Sequence, residues 1–233
     1  MNDQAFWYLE NFDLSELMCQ NKLAEKTSKQ EDHGVKEFNK GETIYLPEDK
    51  ADKIYFITSG RIKIGVYNND KEIIKTILEK GEVFGELAVI GQENRAEFAL
   101  AMEKTHLCIV TLDELKMLLL KHNTFQKFMM TLIGKRIVSV EKRLESLVFK
   151  DSRTRIVEYL LELVNTKGQR VGYELLVRKF NTHQEIANLT ATSRQTVTTL
   201  LNDLRNKNIL TFDRKRLLIR DIDMLKKEVM VEA

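Results

Sequence analysis

Phe84-Gly85-Glu86-Leu87-Ala88-Val89-Ile90-Gly91-Gln92-Glu93-Asn94-Arg95-Ala96 is the stretch around which the rest of this chain organises. A short turn, Phe84-Gly85-Glu86, runs into a few apolar residues, and Arg95 arrives nine positions after the glutamate. Gly85 has no side chain to keep a ligand away from the backbone. The start of a short helix behind it offers unpaired N–H groups to an anion. A guanidinium can grip a phosphate, and the Glu86 carboxylate can accept from a sugar hydroxyl. The pattern predicts a cradle for a small phosphorylated ligand.

On both sides of this stretch lie short strands. Lys40-Gly41-Glu42 marks a turn before Thr43-Ile44-Tyr45, and Ile54-Tyr55-Phe56-Ile57 reads as a buried strand closed by Ser59-Gly60. Ile62, Ile64 and Val66 alternate with Arg61, Lys63 and Gly65, the period of a half-buried strand. Asn68-Asn69-Asp70 is a turn, Ile73 to Leu78 a strand, Lys80-Gly81-Glu82 a turn, and Thr105 to Val110 a further strand. Many short strands at even spacing predict a sandwich or barrel. Upstream, Phe6, Leu9, Phe12 and Leu17 give partial helical spacing before a polar run from Lys22 to His33, so the first thirty-odd residues read as helix or frayed tail.

Past Leu112 the period turns helical. Met129, Ile133, Ile137, Val140, Leu144 and Leu147 step by 4, 4, 3, 4 and 3, which keeps one apolar seam on a straight helix close to a heptad repeat. Such a seam either packs on its own barrel or joins two copies. Its length and its charged flanks (Lys135, Arg136, Glu141, Lys142, Arg143, Glu145) favour a coiled-coil homodimer through residues 125–148. Phe149-Lys150-Asp151-Ser152 then breaks the pattern as a hinge, with Asp151 or Ser152 capping a helix from Arg153 to Thr166.

Thr182 to Leu189 begins like a capped helix, with Thr182 as N-cap and Glu185 as its capping-box partner. Thr190-Ala191-Thr192 turns the chain, and Ser193 caps a second helix beginning Arg194-Gln195-Thr196-Val197. Ile186, Ala187, Val197, Leu200, Leu201 and Leu204 would clamp the two together. This is helix-turn-helix spacing, with the polar start of the second helix free to enter a major groove. Ile209 to Phe212 and Leu217 to Ile219, joined by Asp213-Arg214-Lys215-Arg216, read as a basic hairpin, or wing.

Composition agrees. Residues 150–233 hold 16 Lys and Arg against 11 Asp and Glu, a net of +5, while the rest holds 21 against 24, a net of −3. A basic C-terminal third suits phosphate attraction. Two cysteines, Cys19 and Cys108, lie far apart and in no metal-ligand spacing, and His106 with Cys108 is a weak hint at most. No run of about 18 apolar residues predicts a membrane span, and no signal peptide is read, so a cytoplasmic protein is expected. No catalytic constellation argues for an enzyme.

In residue types and in Glu-to-Arg spacing, Phe84–Ala96 resembles the phosphate-binding cassette of cyclic-nucleotide-binding domains. The run THQEIANLTATSRQTVTTLLNDL resembles the DNA-reading motif of Crp/Fnr-family transcriptional regulators over its whole length, including Gln184-Glu185-Ile186 and Ser193 to Val197. The resemblance implies an α+β chain. Residues 1–122 would form an eight-stranded β jelly-roll sensor domain, 123–150 a long dimerisation helix and hinge, and 151–233 a winged helix-turn-helix domain. For the effector it implies Glu86 on a ribose hydroxyl, Arg95 on a cyclic phosphate, and backbone amides from Gly85 through Leu87 to Ala88. Ala96 matches cassettes with alanine after the arginine, and Ser139 is the only hydroxyl in the middle of the seam.

Cyclic AMP or cyclic GMP is the effector so implied. Glu97 adds negative charge nearby unless it points outward, and family members that bind another effector, or none, would keep Glu86 and Arg95 as a structural ion pair. For DNA the resemblance implies Thr182, Gln184, Ser193, Arg194, Gln195, Thr196 and Thr199, with Arg214, Lys215 and Arg216 on the wing. Double-stranded DNA bearing an inverted repeat and RNA polymerase are the implied partners. Ala191 replaces a common glycine at the turn, at some strain, and Thr199 stands where some members place a second base-reading arginine. The alternative is a cyclic-nucleotide-binding module acting on a protein partner, which the intact reading head disfavours.

Overall fold

The computed structural model describes residues 8–9, 12–13, 34–68 and 71–230. The chain divides into two compact units, residues 1–135 and 136–233.

In the first unit, β1 (Tyr8–Leu9) and β2 (Phe12–Asp13) pair antiparallel. Leu9 and Phe12 are therefore extended, not helical as their spacing suggested; four apolar residues over so long a stretch are too few to commit a helix. Phe6, Leu17 and the polar run to His33 lie outside the described residues.

The unit's other described strands form a pair of four-stranded antiparallel sheets. One holds β3 (Gly34–Phe38), β10 (Thr105–Thr111), β5 (Lys53–Ser59) and β8 (Val83–Phe84), in the order β3-β10-β5-β8. The other holds β4 (Thr43–Tyr45), β9 (Phe98–Ala101), β6 (Arg61–Asn68) and β7 (Lys71–Glu79), in the order β4-β9-β6-β7. This is the expected jelly roll. Tyr45, Tyr55, Ile57, Ile62, Ile64, Phe84 and Leu107 form the core between the sheets. Ile54, Phe56, Val83, Cys108 and Val110 point to the first sheet's other face, where helices cover them. Burial on both faces is why Ile54 to Ile57 is unbroken apolar sequence, whereas β6 alternates until a bulge between Ile64 and Gly65 shifts its register.

Those covering helices are α1 (Leu112–Lys121), opened by a Thr111–Glu114 capping box, and the start of α2 (Asn123–Phe149). Phe125, Phe128, Met129 and Leu132 of α2 are buried beneath the first sheet. Part of the stretch assigned to a dimer seam, Met129 included, thus belongs to the barrel's own core. Beyond it the seam emerges: Ile137, Val140, Leu144 and Leu147 are 55, 68, 62 and 43% exposed in the single chain.

In the second unit, Asp151 caps α3 (Ser152–Lys167), its Oδ1 accepting from the Thr154 N–H at 2.8 Å. Then follow β11 (Gln169–Val171), β12 (Glu174–Arg178), α4 (His183–Leu189), α5 (Arg194–Asn206), β13 (Leu210–Phe212), β14 (Arg216–Ile219) and α6 (Ile222–Met230). The hairpin read from sequence is half of a four-stranded sheet ordered β11-β12-β14-β13. Ile186, Ala187, Val197, Leu200, Leu201 and Leu204 are buried with Ile156, Leu160, Leu217 and Leu225, so the clamp extends onto α3, the sheet and α6. Each of these Val, Leu and Ile side chains contributes about 1.5–3 kcal/mol by leaving water.

Candidate functional site

Sequence chemistry fixes the ends of both helices of the reading head. Thr182 Oγ1 accepts from the Glu185 N–H at 3.2 Å, while Glu185 Oε2 accepts from the Thr182 N–H at 2.7 Å. Ser193 Oγ accepts from the Thr196 N–H at 3.0 Å, a cap worth about 1 kcal/mol. Ala191 takes the left-handed turn position with φ +50°, which costs a residue with a Cβ about 1–2 kcal/mol. An arginine of α3 holds this turn. Arg155 donates through Nε to the Thr190 carbonyl at 2.9 Å and through Nη2 to the Ala191 carbonyl at 3.1 Å. Its Nη1 reaches back to the Lys150 carbonyl, between α2 and α3, at 2.7 Å. From α2, Arg143 Nη2 donates to the Asn188 carbonyl at 3.3 Å, and burial pulls its pKa down.

Val197, Leu200, Leu201 and Leu204 bury one face of α5, leaving Ser193, Arg194, Gln195 and Thr199 exposed on the other. Thr196 is half-buried, with its hydroxyl 2.8 Å from Ser193 Oγ. On α4, Gln184 is exposed and donates to Asn188 Oδ1 at 3.1 Å. His183 joins the parts: its Nδ1 lies 2.8 Å from Thr198 Oγ1 on α5, and its ring meets Phe212 of β13 edge-on at 5.5 Å. At the wing tip Asp213 Oδ1 accepts from the N–H groups of Lys215 and Arg216, each at 2.8 Å, which lowers its pKa. That turn leaves Arg214, Lys215 and Arg216 exposed.

The cassette is differently disposed. Gly85 adopts φ +77° and starts a short 3-10 helix, Glu86–Ile90. Arg95 is only 2% exposed. Its Nη1 donates to the Gly85 carbonyl at 3.0 Å and its Nη2 to the Lys53 carbonyl. Its guanidinium lies 4.6 Å from the Tyr45 ring centre and 5.8 Å from that of Tyr55. Tyr55 stacks in turn on Phe84 at 4.8 Å. A Cβ on Gly85 would come within 3.0 Å of Arg95 Nη1 and of the Lys53 carbonyl, so the close approach that glycine permits is made by the chain itself. Burial pushes the Tyr45 hydroxyl above the ordinary phenol range, with Glu97 adding to the effect. Main-chain bonds tie Arg95 to the opposite loop: its N–H donates to the Asp49 carbonyl at 2.8 Å and its carbonyl accepts from the Glu48 N–H at 2.9 Å.

Comparison with known proteins follows the same division. A cyclic nucleotide-binding domain model matches residues 35–122, and a Crp-like helix-turn-helix domain model matches residues 154–228. The chain belongs to the Crp/Fnr family of transcriptional regulators. Among its Crp/Fnr relatives is the global nitrogen regulator of Synechocystis sp., 28% identical, the match taking in 80% of this chain and 84% of that one. Another is the CRP-like cAMP-activated global transcriptional regulator of Mycobacterium tuberculosis, 27% identical over 81% and 85%. A solved structure of a CooA mutant from Carboxydothermus hydrogenoformans superposes with a TM-score of 0.75 at 25% identity, covering 95% of this chain and 97% of that one.

Three features mark the cassette of this Crp/Fnr chain. The Arg95 fork faces backbone carbonyls, because burial of a guanidinium demands acceptors, and the turn at Gly85 and the start of β5 at Lys53 supply them. Glu86 and Ala88 are buried, while Leu87, Ile90 and Ala96 are exposed. Glu97 is paired with Lys75 at 2.9 Å, so its charge is answered locally. Ser139 is exposed on the part of α2 that belongs to the second unit. His106 is taken by Ser59 Oγ at 2.8 Å and Glu37 Oε2 at 3.0 Å, while Cys108 is buried under the helices; no group of three metal-binding side chains occurs among the described residues. No helix among them is long and apolar enough to cross a membrane. Sequence reading did not find Arg155, Arg143 or His183. An arginine three to four residues into a helix behind a hinge carries no motif, and only the fold brings it to a turn 35 residues away.

Proposed function

We propose that this protein is a homodimeric, sequence-specific DNA-binding transcriptional regulator whose jelly roll senses a small effector. The observation that carries the DNA reading is the divided face of α5. Its apolar side is buried, and its first turn presents Arg194 and Gln195 to solvent, ahead of Thr199 one turn on. In this assignment Arg194 bonds a guanine through O6 and N7, Gln195 an adjacent adenine, and Thr199 makes a hydroxyl or methyl contact. Thr182, Gln184, Ser193, Thr196 and the wing's Arg214, Lys215 and Arg216 hold phosphates.

The exposed seam from Ile137 to Leu147 needs a cover, and a second copy of the same helix supplies one in register. Residues 1–122 are then the sensor, 123–150 the dimer helix and hinge, and 151–233 the reader, working in the cytoplasm on DNA bound also by RNA polymerase. The effector reading is a cyclic nucleotide, cyclic AMP or cyclic GMP, held by Gly85, Glu86, Leu87, Ala88, Arg95 and Ala96. Arg95 gives one donor each from Nη1 and Nη2 to the Gly85 and Lys53 carbonyls while its Nε has no hydrogen-bond partner among the described residues, so donors remain for a cyclic phosphate, and its binding would shift the population of hinge conformers. A thermal-shift series with both nucleotides tests this, since a ligand of the folded state must raise its melting temperature.

The DNA reading is tested by titrating a random-sequence duplex at several salt concentrations. Neutralising Arg214, Lys215 and Arg216 together should weaken binding and lower the salt slope by about three, roughly one per phosphate contact. An unchanged slope would remove the wing from the interface.

A further inference from the structure

Tyr45 ends β4 and is only 4% exposed, its ring packed in the core between the sheets. The ring centre lies 5.7 Å from that of Tyr55 and 6.0 Å from that of Phe84. A phenylalanine would serve that packing as well. What tyrosine adds is a hydroxyl, and Tyr45 Oη is buried with no hydrogen-bond partner among the described residues. The guanidinium that rests on the same ring carries a second such atom. Arg95 Nη1 and Nη2 serve the Gly85 and Lys53 carbonyls, but Arg95 Nε is buried and has no hydrogen-bond partner among the described residues. A buried donor left unanswered opposes folding, and here two occur on side chains in contact.

The surroundings of the hydroxyl place it at the cassette. Besides burial, the charges of Glu97, Arg95 and Glu86 all reach it, two of them from the cassette itself and one from the residue directly after it. Burial first, and then the carboxylates, keep the phenol protonated, so it retains a hydrogen to give. Arg95 Nε is a donor only. Two donors on touching side chains, one of them cationic, match the oxygens of an anion, which form the strongest bonds with charged donors. We propose that Tyr45 is a further effector-contacting residue, its hydroxyl bonding the cyclic phosphate alongside Arg95 Nε. The proposal rests on the cyclic-nucleotide reading above, and it adds to the site a residue of β4, outside the cassette.

Both donors are closed off in the unliganded chain, so a ligand reaches them only as the cassette parts from the loop that follows β4. That loop is tied to the cassette by main-chain bonds. The Arg95 N–H donates to the Asp49 carbonyl at 2.8 Å, the Glu48 N–H to the Arg95 carbonyl at 2.9 Å, and the Ala51 N–H to the Glu93 carbonyl at 2.7 Å. A ligand that bonds Tyr45 and Arg95 together would bridge β4 and the cassette in their place. Stability and affinity then respond in opposite senses to loss of the hydroxyl. Without ligand, removing an unanswered buried group leaves the fold as stable or more so. With ligand, the same change removes a bond to a charged acceptor. A hydroxyl kept for the fold alone would show the reverse.

The test is calorimetry of the full-length wild type and Tyr45→Phe, each melted without ligand and titrated with cyclic AMP, cyclic GMP and the 2′-deoxy form of each. Without ligand, Tyr45→Phe should melt at or above the wild-type temperature. Its Kd for the nucleotide that wild type binds more tightly should rise about tenfold or more, as for loss of a hydrogen bond to a charged group. The same factor should hold for the 2′-deoxy form, which keeps the phosphate and lacks the ribose hydroxyl. An unliganded Tyr45→Phe melting more than about 2 °C below wild type would make the hydroxyl a part of the fold. Equal affinities would keep it out of the site, and a loss that vanishes with the 2′-deoxy form would move it to the sugar. Each of these overturns the proposal while the cyclic-nucleotide reading stands. Failure of wild type to bind either nucleotide at millimolar concentration overturns both.

Discussion

Replacing Arg95 with methionine, which keeps the length and most of the apolar stem, asks what the arginine does in the unliganded barrel. Its Nη1 and Nη2 serve the Gly85 and Lys53 carbonyls, and its face packs on Tyr45. Hydrogen bonds from a charged donor contribute about 1.5–3 kcal/mol each, and the contact with a desolvated aromatic ring about 1–2 kcal/mol more. Against this stands the gain of no longer burying a charge, which is several kcal/mol. What remains is two buried carbonyls facing a side chain that cannot donate, for a net loss of about 2–4 kcal/mol. For a unit of this size that lowers the melting temperature by roughly 10 °C. Calorimetry of unliganded wild type, Arg95→Met and Arg95→Lys provides the measurement; lysine keeps the charge but cannot serve both carbonyls as a fork, so it should recover little. An Arg95→Met protein melting within about 2 °C of wild type would refute the brace. The arginine would then be held in the barrel for a ligand alone.

Two further perturbations address the helices. Ile137→Glu with Leu144→Glu should convert the proposed dimer to monomer in light scattering, because like charges would face each other across the proposed seam; an unchanged dimer mass would place the interface elsewhere. Arg155→Gln removes donors from the Thr190, Ala191 and Lys150 carbonyls and should lower the urea midpoint of the second unit by the equivalent of about 1–3 kcal/mol, with weaker DNA binding; an unshifted midpoint would mean the turn holds itself.

What could be read from the residues alone was whatever is encoded locally. Thr182 with Glu185, Ser193 and Asp151 announce helix starts because a cap needs only its own neighbours, and all three form as expected. The apolar run at Ile54 to Ile57 and the alternation at Ile62 and Ile64 likewise gave their strands away. Hidden features depend on distant partners. β11 is exposed at every residue, so it has no period to find, and β12 is held by pairing with β11 and β14 and by burial of Val177. α6 was not read from the sequence; Leu225 is buried in the core shared with α3, and Glu228 pairs with Arg153 and Lys207. In the cassette the Glu86-to-Arg95 spacing was legible, but the inward turn of the guanidinium was not, since the carbonyl of Lys53 lies 42 residues away in sequence.

The most direct test of the account is selection on random DNA with wild type and Arg194→Ala side by side. Wild type should return an inverted repeat with half-sites about one helical turn, roughly 34 Å, apart. Arg194→Ala should lose about 1–3 kcal/mol on that site and become indifferent to one guanine in each half. Asymmetric sites from wild type, or an undiminished guanine preference in the variant, would contradict the assignment of α5 as the reading helix.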